Sequence, residues 1–483
     1  MLWLALRFAS LPLEVYARAA RACVPLAVAG SGTEIIACNK AALSRGIKCG
    51  MLVAAASALA ADLNVVPRDT AAEEAALERI AAWAIQFTPA VSIAHPDEVL
   101  LEIAGSLTIF GGLKNLWEEI ATGLSALGYA AAMACAPAPL AAQWFARAGL
   151  AVRLRHADAL RASLPDLPIE VTRLRPDALA LLQNVGVTNV SDCLALPRDG
   201  LAKRLGQNFL DDLDRARGLA PDPRLFFTPP TVFRAAQPLP APAWQAEMLL
   251  FAARRLLMEL CGFLTATANG AQRLAFTFSH HRREASRLTL SLVAATRDAD
   301  HLTNVLRERL ERTALPEPAT AIALESELLL PLASRNRELL PGRQEEAAAQ
   351  LIERLRARLG DEAVLGLKRF ADHRPECAWR TCPPADGMND GNSAAPAVSA
   401  ARTAGRPLWI LGEPRPLSEV AEVPCYDGRL TLLAGPERIE SGWWDGRDVM
   451  RDYFVASNPS EALLWIYRER NANARWFLHG FFA

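Results

Sequence analysis

The chain has 483 residues, of which 51% are hydrophobic and 22% are charged. This length predicts three or four domains, and the composition excludes collagen-like, disordered and disulfide-scaffold proteins. The 52 basic and 53 acidic residues nearly cancel. Any contact with nucleic acid must therefore come from local patches, because the whole molecule carries too little net charge to attract it.

The nine cysteines are scattered along the chain and do not suggest a disulfide framework. Free thiols fit a reducing compartment, so we expect a cytoplasmic protein. Only Cys377 and Cys382 lie close together, and their spacing, even with His373 and Cys425, is not typical of a zinc site. We expect no metal there.

The apolar start, Met1 to Leu13, has the hydrophobicity of a signal peptide but carries Arg7 and has no basic leader. A buried strand followed by a helix is the better interpretation. The chain contains no uninterrupted apolar run of about 18 residues, so we expect no membrane span.

Strand-like and helix-like segments alternate over the first 150 residues, which predicts an α/β or α+β domain with a central sheet. The last helix of this region should stop at Gly128. The predicted strands are Leu2–Leu6, Pro25–Ala29 and Val99–Ile103, and the predicted helices are Ala71–Phe87 and Leu116–Leu127.

Residues 168–218 are typical of short helices joined by glycine turns. Gly186 and Gly206 mark the two turns, and Lys203 and Arg204 precede the second. This pattern predicts a helix-hairpin-helix module, in which backbone N–H groups at a turn bind a DNA phosphate. A plain helical hairpin fits the pattern equally well.

Seven prolines between residues 220 and 243 predict an extended connector. A small α+β sheet domain should follow, with a first helix over Trp244–Leu264 and a second over His301–Ala314. Its strands are predicted at Gln272–Ser279, Arg287–Val293 and Thr320–Leu324.

The last third of the chain contains three further segments. Residues 344–359 should form a charged helix. Residues 383–407 have almost no large apolar side chains, and we expect a disordered linker there because they cannot offset the entropy of ordering. Ten of the 33 aromatic residues fall between Trp443 and Phe482, which predicts a small β-rich module.

Several motifs together resemble the Y-family DNA polymerases. They are Pro25–Ala29 with Asn39–Met51, then Phe110–Gly112, then Met133–Ala142, then the helical region at 182–206. The likeness covers about residues 1–335. Three C-terminal segments, starting at Arg406, Gly435 and Trp476, are similar to a divergent branch of that family.

The resemblance implies a multidomain α+β protein. Its expected parts are a palm and fingers-like domain (1–165), a thumb-like helix-hairpin-helix domain (166–220), a proline-rich tether (221–243), a little-finger-like domain (244–335), a clamp-motif-like peptide with a charged helix (336–382), the linker (383–407) and the aromatic-rich C-terminal module (408–483).

The resemblance also implies where catalysis would occur. Members of the family hold two Mg²⁺ ions with carboxylates. The positions of the first carboxylate pair correspond here to Ala5 and Arg7, which are not ligands. Asp97 and Glu98 fall where the family has its second pair. They could bind one Mg²⁺ weakly, or they could belong to an exposed turn that leads into a strand.

The expected triphosphate contacts are also replaced. Lys40 stands at the family's tyrosine position, Leu43 at its arginine position and Pro139 at its lysine position. Leucine and proline cannot offset the charge on phosphates. The sequence therefore predicts a pseudo-polymerase, without a catalytic residue and without a cofactor apart from a weakly bound Mg²⁺.

DNA contact is predicted at basic side chains and glycine turns, because phosphate binding needs only positive charge and N–H groups. The sequence from Arg273 to Arg312 contains eight arginines and only five acidic residues. The alternative is an ordinary solvated surface. The predicted DNA-binding residues are Gly186, Lys203, Arg204, Gly206, Arg273, His280, His281, Arg282, Arg283 and Arg287.

The segment after the little-finger-like domain is similar to a sliding-clamp-binding peptide, with Asn336, Leu339 and Leu340 at its anchor positions. A polar turn is the alternative. The resemblance implies a scaffold in error-prone translesion synthesis with four partners: DNA, the sliding clamp, a RecA-like companion protein and an error-prone replicative-type polymerase. Two other functions stay open: a low-activity polymerase that uses Asp97 and Glu98, and a DNA-binding protein unrelated to replication.

Overall fold

The structure is a computed structural model that describes residues 1–19, 24–332, 343–384, 406–471 and 474–482. The chain folds into two compact units, Met1–Arg358 and Leu359–Ala483. The predicted clamp-binding residues Asn336, Leu339 and Leu340, and most of the predicted linker, lie outside the described residues.

The first module of unit 1 is built on two sheets, and it confirms the predicted sheet-centred α+β domain. Its elements are β1 (Trp3–Arg7), α1 (Leu11–Ala17), β2 (Leu26–Ala29), β3 (Ile35–Cys38), α2 (Lys40–Leu43), α3 (Val53–Leu59), β4 (Asn64–Pro67), α4 (Thr70–Ala84), β5 (Val91–Ala94), β6 (Glu98–Glu102), α5 (Leu113–Leu127), β7 (Ala132–Ala136) and α6 (Pro139–Arg147).

The larger sheet has the order β5-β6-β1-β7, so the first strand of the chain lies at its centre. Every pairing in it is antiparallel. Side chains alternate across β1. Leu4 and Leu6 pack into one core with α4 and α5, while Trp3 and Ala5 pack into another with α6. Because both faces are covered, β1 is apolar over its first four residues.

The helix α5 ends as predicted. Gly128 adopts a left-handed conformation (φ 84°), and the backbone N–H groups of Gly128 and Tyr129 donate to carbonyls of the last helical turn, on Ser125 and Leu124. Glycine adopts this conformation at little steric cost, which explains why it stops the helix.

A smaller sheet with the order β3-β2-β4 forms a separate layer of the first module. Its apolar core contains Ile35, Ala42 and Ile47, and the helices α2 and α3 pack on it. The side chain of Asn39 caps α2 by accepting a hydrogen bond from the N–H of Ala42 (2.9 Å).

Short helices joined by glycine turns follow, as predicted. They are α7 (Ala157–Ser163), α8 (Pro176–Asn184), α9 (Val190–Ala195), α10 (Arg198–Leu205) and α11 (Gln207–Ala216). Their apolar faces share a core with α6 and with Ala5 of β1. This helical module is therefore packed on the large sheet.

The third module is the predicted small α+β domain. Its elements are β8 (Arg234–Ala243), α12 (Ala246–Ala266), β9 (Asn269–Ser279), β10 (Ser286–Thr296), α13 (Ala299–Leu310) and β11 (Ala319–Pro331), followed by α14 (Arg343–Leu359). The strands form one sheet in the order β10-β9-β11-β8. The helices α12 and α13 cover one face of it.

The second half of the predicted proline connector is not a connector. Residues 234–243 form β8, which pairs with β11 at the edge of the sheet. Proline lacks the N–H that a central strand needs, but an edge strand can leave one side unpaired. Pro238, Pro240 and Pro242 are therefore tolerated there.

The helix α12 also packs on α4 and α5 of the first module. The indole of Trp83 lies between Gly123 of α5 and Gly262 of α12, where a Cβ atom would overlap the ring. A buried ionic network accompanies this contact. Glu259 of α12 binds Arg18 and, at 3.1 Å, Arg79.

Unit 2 is β-rich, as predicted. Its strands are β12 (Gly366–Arg369), β13 (Trp379–Cys382), β14 (Trp409–Pro416), β15 (Ser418–Val420), β16 (Val423–Cys425), β17 (Thr431–Ser441), β18 (Val449–Ser457), β19 (Leu463–Glu469) and β20 (Trp476–Phe481). Five of them form a sheet in the order β14-β20-β19-β18-β17. Its core is aromatic, with Tyr453 stacked on Trp465 at 4.2 Å between ring centroids.

Among the residues that the structure describes, no helix is long and apolar enough to cross a membrane.

Candidate functional site

The predicted catalytic region lies where β1 ends beside the start of β6. Arg7 is directly opposite Glu98 in the antiparallel pairing, and Ala5 is opposite Leu100. The backbone N–H of Phe8 donates to the carbonyl of Asp97 at 2.8 Å. The sheet therefore brings Arg7, Asp97 and Glu98 together, as the family resemblance implied.

Glu98 is fully buried and bound by polar side chains of α6. Its Oε1 accepts from Nε of Arg147 at 2.6 Å, and its Oε2 accepts from Nη2 of Arg147 at 2.9 Å. The side chain of Gln143 donates a further hydrogen bond to Oε2. Arg147 and Glu98 thus form a bidentate salt bridge, which is the strongest geometry for an arginine and a carboxylate.

Asp97 is bound by two other arginines. Its Oδ2 lies 3.4 Å from Nε of Arg7, and its Oδ1 accepts from Nη2 of Arg173. Arg173 Nη2 also lies 3.5 Å from Oε1 of Glu98. The predicted turn that leads into a strand is present at residues 95–97, just before β6. The two carboxylates are not exposed, however, since only 16% of the Asp97 side chain is accessible and Glu98 is buried.

Two of these arginines were not predicted from the sequence. Arg147 is 49 residues from Glu98, and Arg173 is 76 residues from Asp97. Neither belongs to a local motif with the carboxylates, so only the folded chain reveals the contact. We call Arg7, Asp97, Glu98, Arg147 and Arg173 the arginine-carboxylate cluster.

The cluster contains three guanidinium groups and two carboxylates, so its formal charge is positive. A two-metal site requires several carboxylate oxygens facing the cations, with their lone pairs free. Here all four carboxylate oxygens face arginine side chains. Within the described ranges, no group of three or more His, Cys, Asp or Glu residues could hold a metal ion.

The other positions at which the family's metal or triphosphate contacts are replaced lie on separate elements. Ala5 is fully buried in the apolar core between the large sheet and the helical module. Lys40 and Leu43 are exposed on α2, beside the smaller sheet. Pro139 is the first residue of α6, a position that suits the fixed φ of proline, and it is buried.

The glycine turns of the helical module are open to solvent. Gly186 (φ 87°) and Gly206 (φ 91°) have positive φ, and a Cβ at either would meet nothing within 4 Å. Lys203 and Arg204 are exposed just before the second turn. All four residues are exposed to solvent.

The open face of the small domain carries three arginines. Leu274, Phe276 and Phe278 point to the core, so Arg273 lies on the opposite face by strand alternation. Arg287 pairs across from Thr277 on the same face. It forms an exposed ion pair with Glu327, and Arg234 forms another with Glu325 at 2.7 Å.

The loop between β9 and β10 contains the remaining predicted DNA-binding residues. His281, Arg282 and Arg283 are exposed. His280 does not project as predicted. Its Nε2 lies 2.8 Å from the Ser286 hydroxyl and its Nδ1 lies 3.3 Å from the Pro318 carbonyl, which fixes the ring within the domain.

Comparison with known proteins agrees with the motifs. Residues 15–147 match the model described as the impB/mucB/samB family. The chain is 29% identical over 467 residues to the protein named ImuB from two strains of Caulobacter vibrioides, NA1000 / CB15N and ATCC 19089. That alignment covers 90% of this chain and all of the relative. These matches confirm the family resemblance predicted from the sequence.

Solved structures of polymerases are more distant. A structure of DinB from Sulfolobus solfataricus is 18% identical, with a TM-score of 0.38 over 68% of this chain and 98% of that one. A ternary complex of Dbh is 19% identical, with a TM-score of 0.39 over 67% and 98%. At these values the likeness assigns no function.

Proposed function

Because residues 15–147 match the model of the impB/mucB/samB family, we propose that the protein is a non-catalytic, polymerase-like scaffold for error-prone translesion synthesis in the response to DNA damage. The observation that supports this most strongly is the arginine-carboxylate cluster. Asp97 and Glu98 are the two carboxylates retained from the family's pattern, and arginines engage both of them.

Electrostatics explain why the cluster opposes metal binding. A Mg²⁺ ion would have to displace the guanidinium group of Arg147, which forms a bidentate salt bridge with Glu98. It would also lie near the positive charge of Arg7. At effective protein dielectrics, the repulsion between such charges at contact distance is on the order of several kcal/mol. Polymerase chemistry therefore has no suitable ligand set at this position.

DNA binding is the second part of the proposal. The open face of the small domain presents Arg273 and Arg287, and the helical module presents Lys203 and Arg204 beside an exposed glycine turn. The ion pair between Arg287 and Glu327 is exposed, and such pairs are weak enough to be exchanged for a phosphate. These groups would bind the DNA backbone without reading its sequence.

Protein partners complete the proposed scaffold. Asn336, Leu339 and Leu340 would bind the sliding clamp, and the C-terminal unit would serve as a docking region for a RecA-like ImuA protein and an error-prone replicative-type polymerase. In that unit Trp443 and Trp444 are 81% and 56% exposed. Exposed tryptophans often supply much of the energy of a protein interface. Such a complex corresponds to a mutasome. A cytoplasmic location and expression induced by DNA damage (the SOS response) would be consistent with this role.

Co-purification from cells with damaged DNA tests the scaffold. The full chain, used as bait, should retain the clamp, the RecA-like protein and the polymerase. A Leu339→Ala/Leu340→Ala variant should lose the clamp while keeping the other two. If none of the three is retained, the scaffold is refuted, and a low-activity polymerase and a DNA-binding protein unrelated to replication are the candidates that remain.

A low-activity polymerase is the second candidate, favoured by one observation: Asp97 and Glu98 are both present and adjacent at the start of β6. That candidate requires the arginines to move away when nucleotide and metal bind. It predicts template-directed incorporation that disappears in an Asp97→Ala variant.

A further inference from the structure

The arginine-carboxylate cluster joins two modules. Asp97 and Glu98 lie at the edge where β6 of the large sheet begins, whereas Arg173 lies in the helical module, just before α8. The guanidinium group of Arg173 forms ion pairs with both carboxylates. Arg147, at the end of α6, binds Glu98 and also donates from Nη1 to the carbonyl of Val171 at 2.9 Å.

The backbone of the helical module is shaped for this contact. Arg173 has a positive φ of 55°, a left-handed conformation that residues other than glycine rarely adopt. Its N–H donates to the carbonyl of Glu170 at 3.2 Å, which closes a turn over residues 170–173. Unusual backbone conformations of this kind persist where surrounding contacts fix them.

Arg7 connects the end of β1 to the same group. Its Nη1 donates to the carbonyl of Arg147 at 2.7 Å, and its Nε faces Asp97. The cluster is partly screened from water, with Glu98 at 0% exposure, Arg147 at 12% and Arg173 at 32%. Removing one partner from a buried pair leaves an uncompensated charge, which is costly.

We propose that Asp97 and Glu98 are positioning residues, which fasten residues 169–173 and thus the start of α8 to the large sheet through Arg147 and Arg173. In this role guanidinium groups provide the countercharge that metal ions would provide in an active site. The proposal rests on the proposed non-catalytic function, because a carboxylate bound in this way is not free to bind a metal ion.

The fastening affects the surface predicted to bind DNA. The helices α8 and α9 flank the exposed turn at Gly186, and the turn at Gly206 follows on the same module. A module held at residues 169–173 presents these turns in one orientation relative to the sheet. The shared apolar core also holds the module, so loosening the cluster would widen the range of orientations of the turns rather than release the module. The ordering entropy would then oppose DNA binding.

Four variants of the full chain test the proposal: Asp97→Asn, Glu98→Gln, Arg173→Ala and, as a matched control, Asp158→Asn. Asp158 belongs to the same module, and its carboxylate pairs with Arg161 at 2.9 Å but is 92% exposed. The first measurement is hydrogen exchange of the backbone amides of residues 169–173. We expect at least a tenfold increase in the first three variants and none in the control.

The second measurement is affinity for duplex DNA. Asp97→Asn removes a negative charge, so electrostatics alone predicts tighter binding. The positioning role predicts the opposite, a severalfold weaker affinity. Because Glu98→Gln could fail to fold, the Arg173→Ala variant, with a partly exposed side chain, provides an independent result in the exchange measurement. Its DNA affinity is not used, because the loss of a positive charge alone would weaken binding.

The positioning role would be overturned if the amides of residues 169–173 exchanged at the same rate in Asp97→Asn and Arg173→Ala as in the control. Wild-type polymerase activity would instead refute the proposed function, while exchange at 169–173 would still show whether the fastening exists. The two failures are therefore distinguishable.

Discussion

Glu14 illustrates how burial alone changes the chemistry of one side chain. It lies on α1, and Oε1 accepts a hydrogen bond from the N–H of Ala130 at 3.0 Å, while Oε2 is buried and has no hydrogen-bond partner in the part of the chain that the structure describes. Burial raises the pKa of Glu14 to about 7, against smaller opposing effects of the Ala130 N–H and of Arg18. The carboxyl group is therefore half protonated near neutral pH.

This pKa makes stability depend on pH. The folded protein binds the proton more tightly than the unfolded chain, whose ordinary pKa is 4.5. The stabilisation is complete below pH 4.5 and is lost as the pH rises through about 7. We predict that the unfolding free energy of Glu14→Gln minus that of the wild type increases by about 3 kcal/mol when the pH is raised from 4.5 to 8. Urea unfolding at both pH values measures this, and an equal difference at both would contradict it.

The site could be predicted from the sequence only in part, and distance along the chain explains the limit. The resemblance to the polymerase family implied one site for Arg7, Asp97 and Glu98, and the sheet does bring them together. Arg147 and Arg173 carry no signal of their own, because their contacts with the carboxylates join distant segments. His280 looked like a surface group, but its partners Ser286 and Pro318 are placed only by the hairpin.

At the scale of elements, the contact between α4, α5 and α12 depends on two glycines. Gly123 and Gly262 lie against the indole of Trp83, so neither helix could approach as closely with a side chain there. Both glycines lie inside helices, where glycine lowers helix stability relative to alanine. Close packing on Trp83 is a reason for glycine at these positions.

Substituting Gly262 tests this packing. We predict that Gly262→Ala lowers the unfolding free energy by about 1–3 kcal/mol, because the new methyl group overlaps the Trp83 ring and the helices must separate. Gly200→Ala in α10 is the matched control. A Cβ there meets nothing within 4 Å. The control should be neutral or stabilising by up to about 1 kcal/mol. Equal effects of both substitutions in thermal unfolding would be inconsistent with this packing.

Long elements were predictable because their patterns are local. The helix α4 was predicted at Ala71–Phe87 and spans Thr70–Ala84, and α12 was predicted at Trp244–Leu264 and spans Ala246–Ala266. The edge strand β8 was missed, since its prolines are typical of a connector and its strand character comes from pairing with β11. The short strands β3, β4 and β5 contain only four residues each and leave little pattern.

At the scale of the whole molecule, the near-zero net charge means that DNA affinity must come from particular surfaces. We predict that Arg273→Ala/Arg287→Ala weakens duplex binding regardless of sequence. A plot of log affinity against log salt concentration should become less steep by about 2, because each of the two lost phosphate contacts contributes about 0.9 to the magnitude of the slope. Fluorescence anisotropy over a salt series measures the slope.

Arg161→Ala is the control for that experiment, because Arg161 is also exposed but pairs with Asp158 away from the sheet face. An unchanged slope in the double variant would mean that the open face of the small domain does not contact DNA. A fall of the same size in the control would mean that any exposed arginine contributes.

The proposed function is a polymerase-like scaffold that does not itself catalyse synthesis. Primer extension by the purified full chain, with Mg²⁺ and separately with Mn²⁺, tests it most directly, using an active polymerase on the same template as the positive control. Neither the wild type nor Asp97→Ala should incorporate nucleotide with either metal. Incorporation by the wild type that disappears in Asp97→Ala would contradict a non-catalytic role.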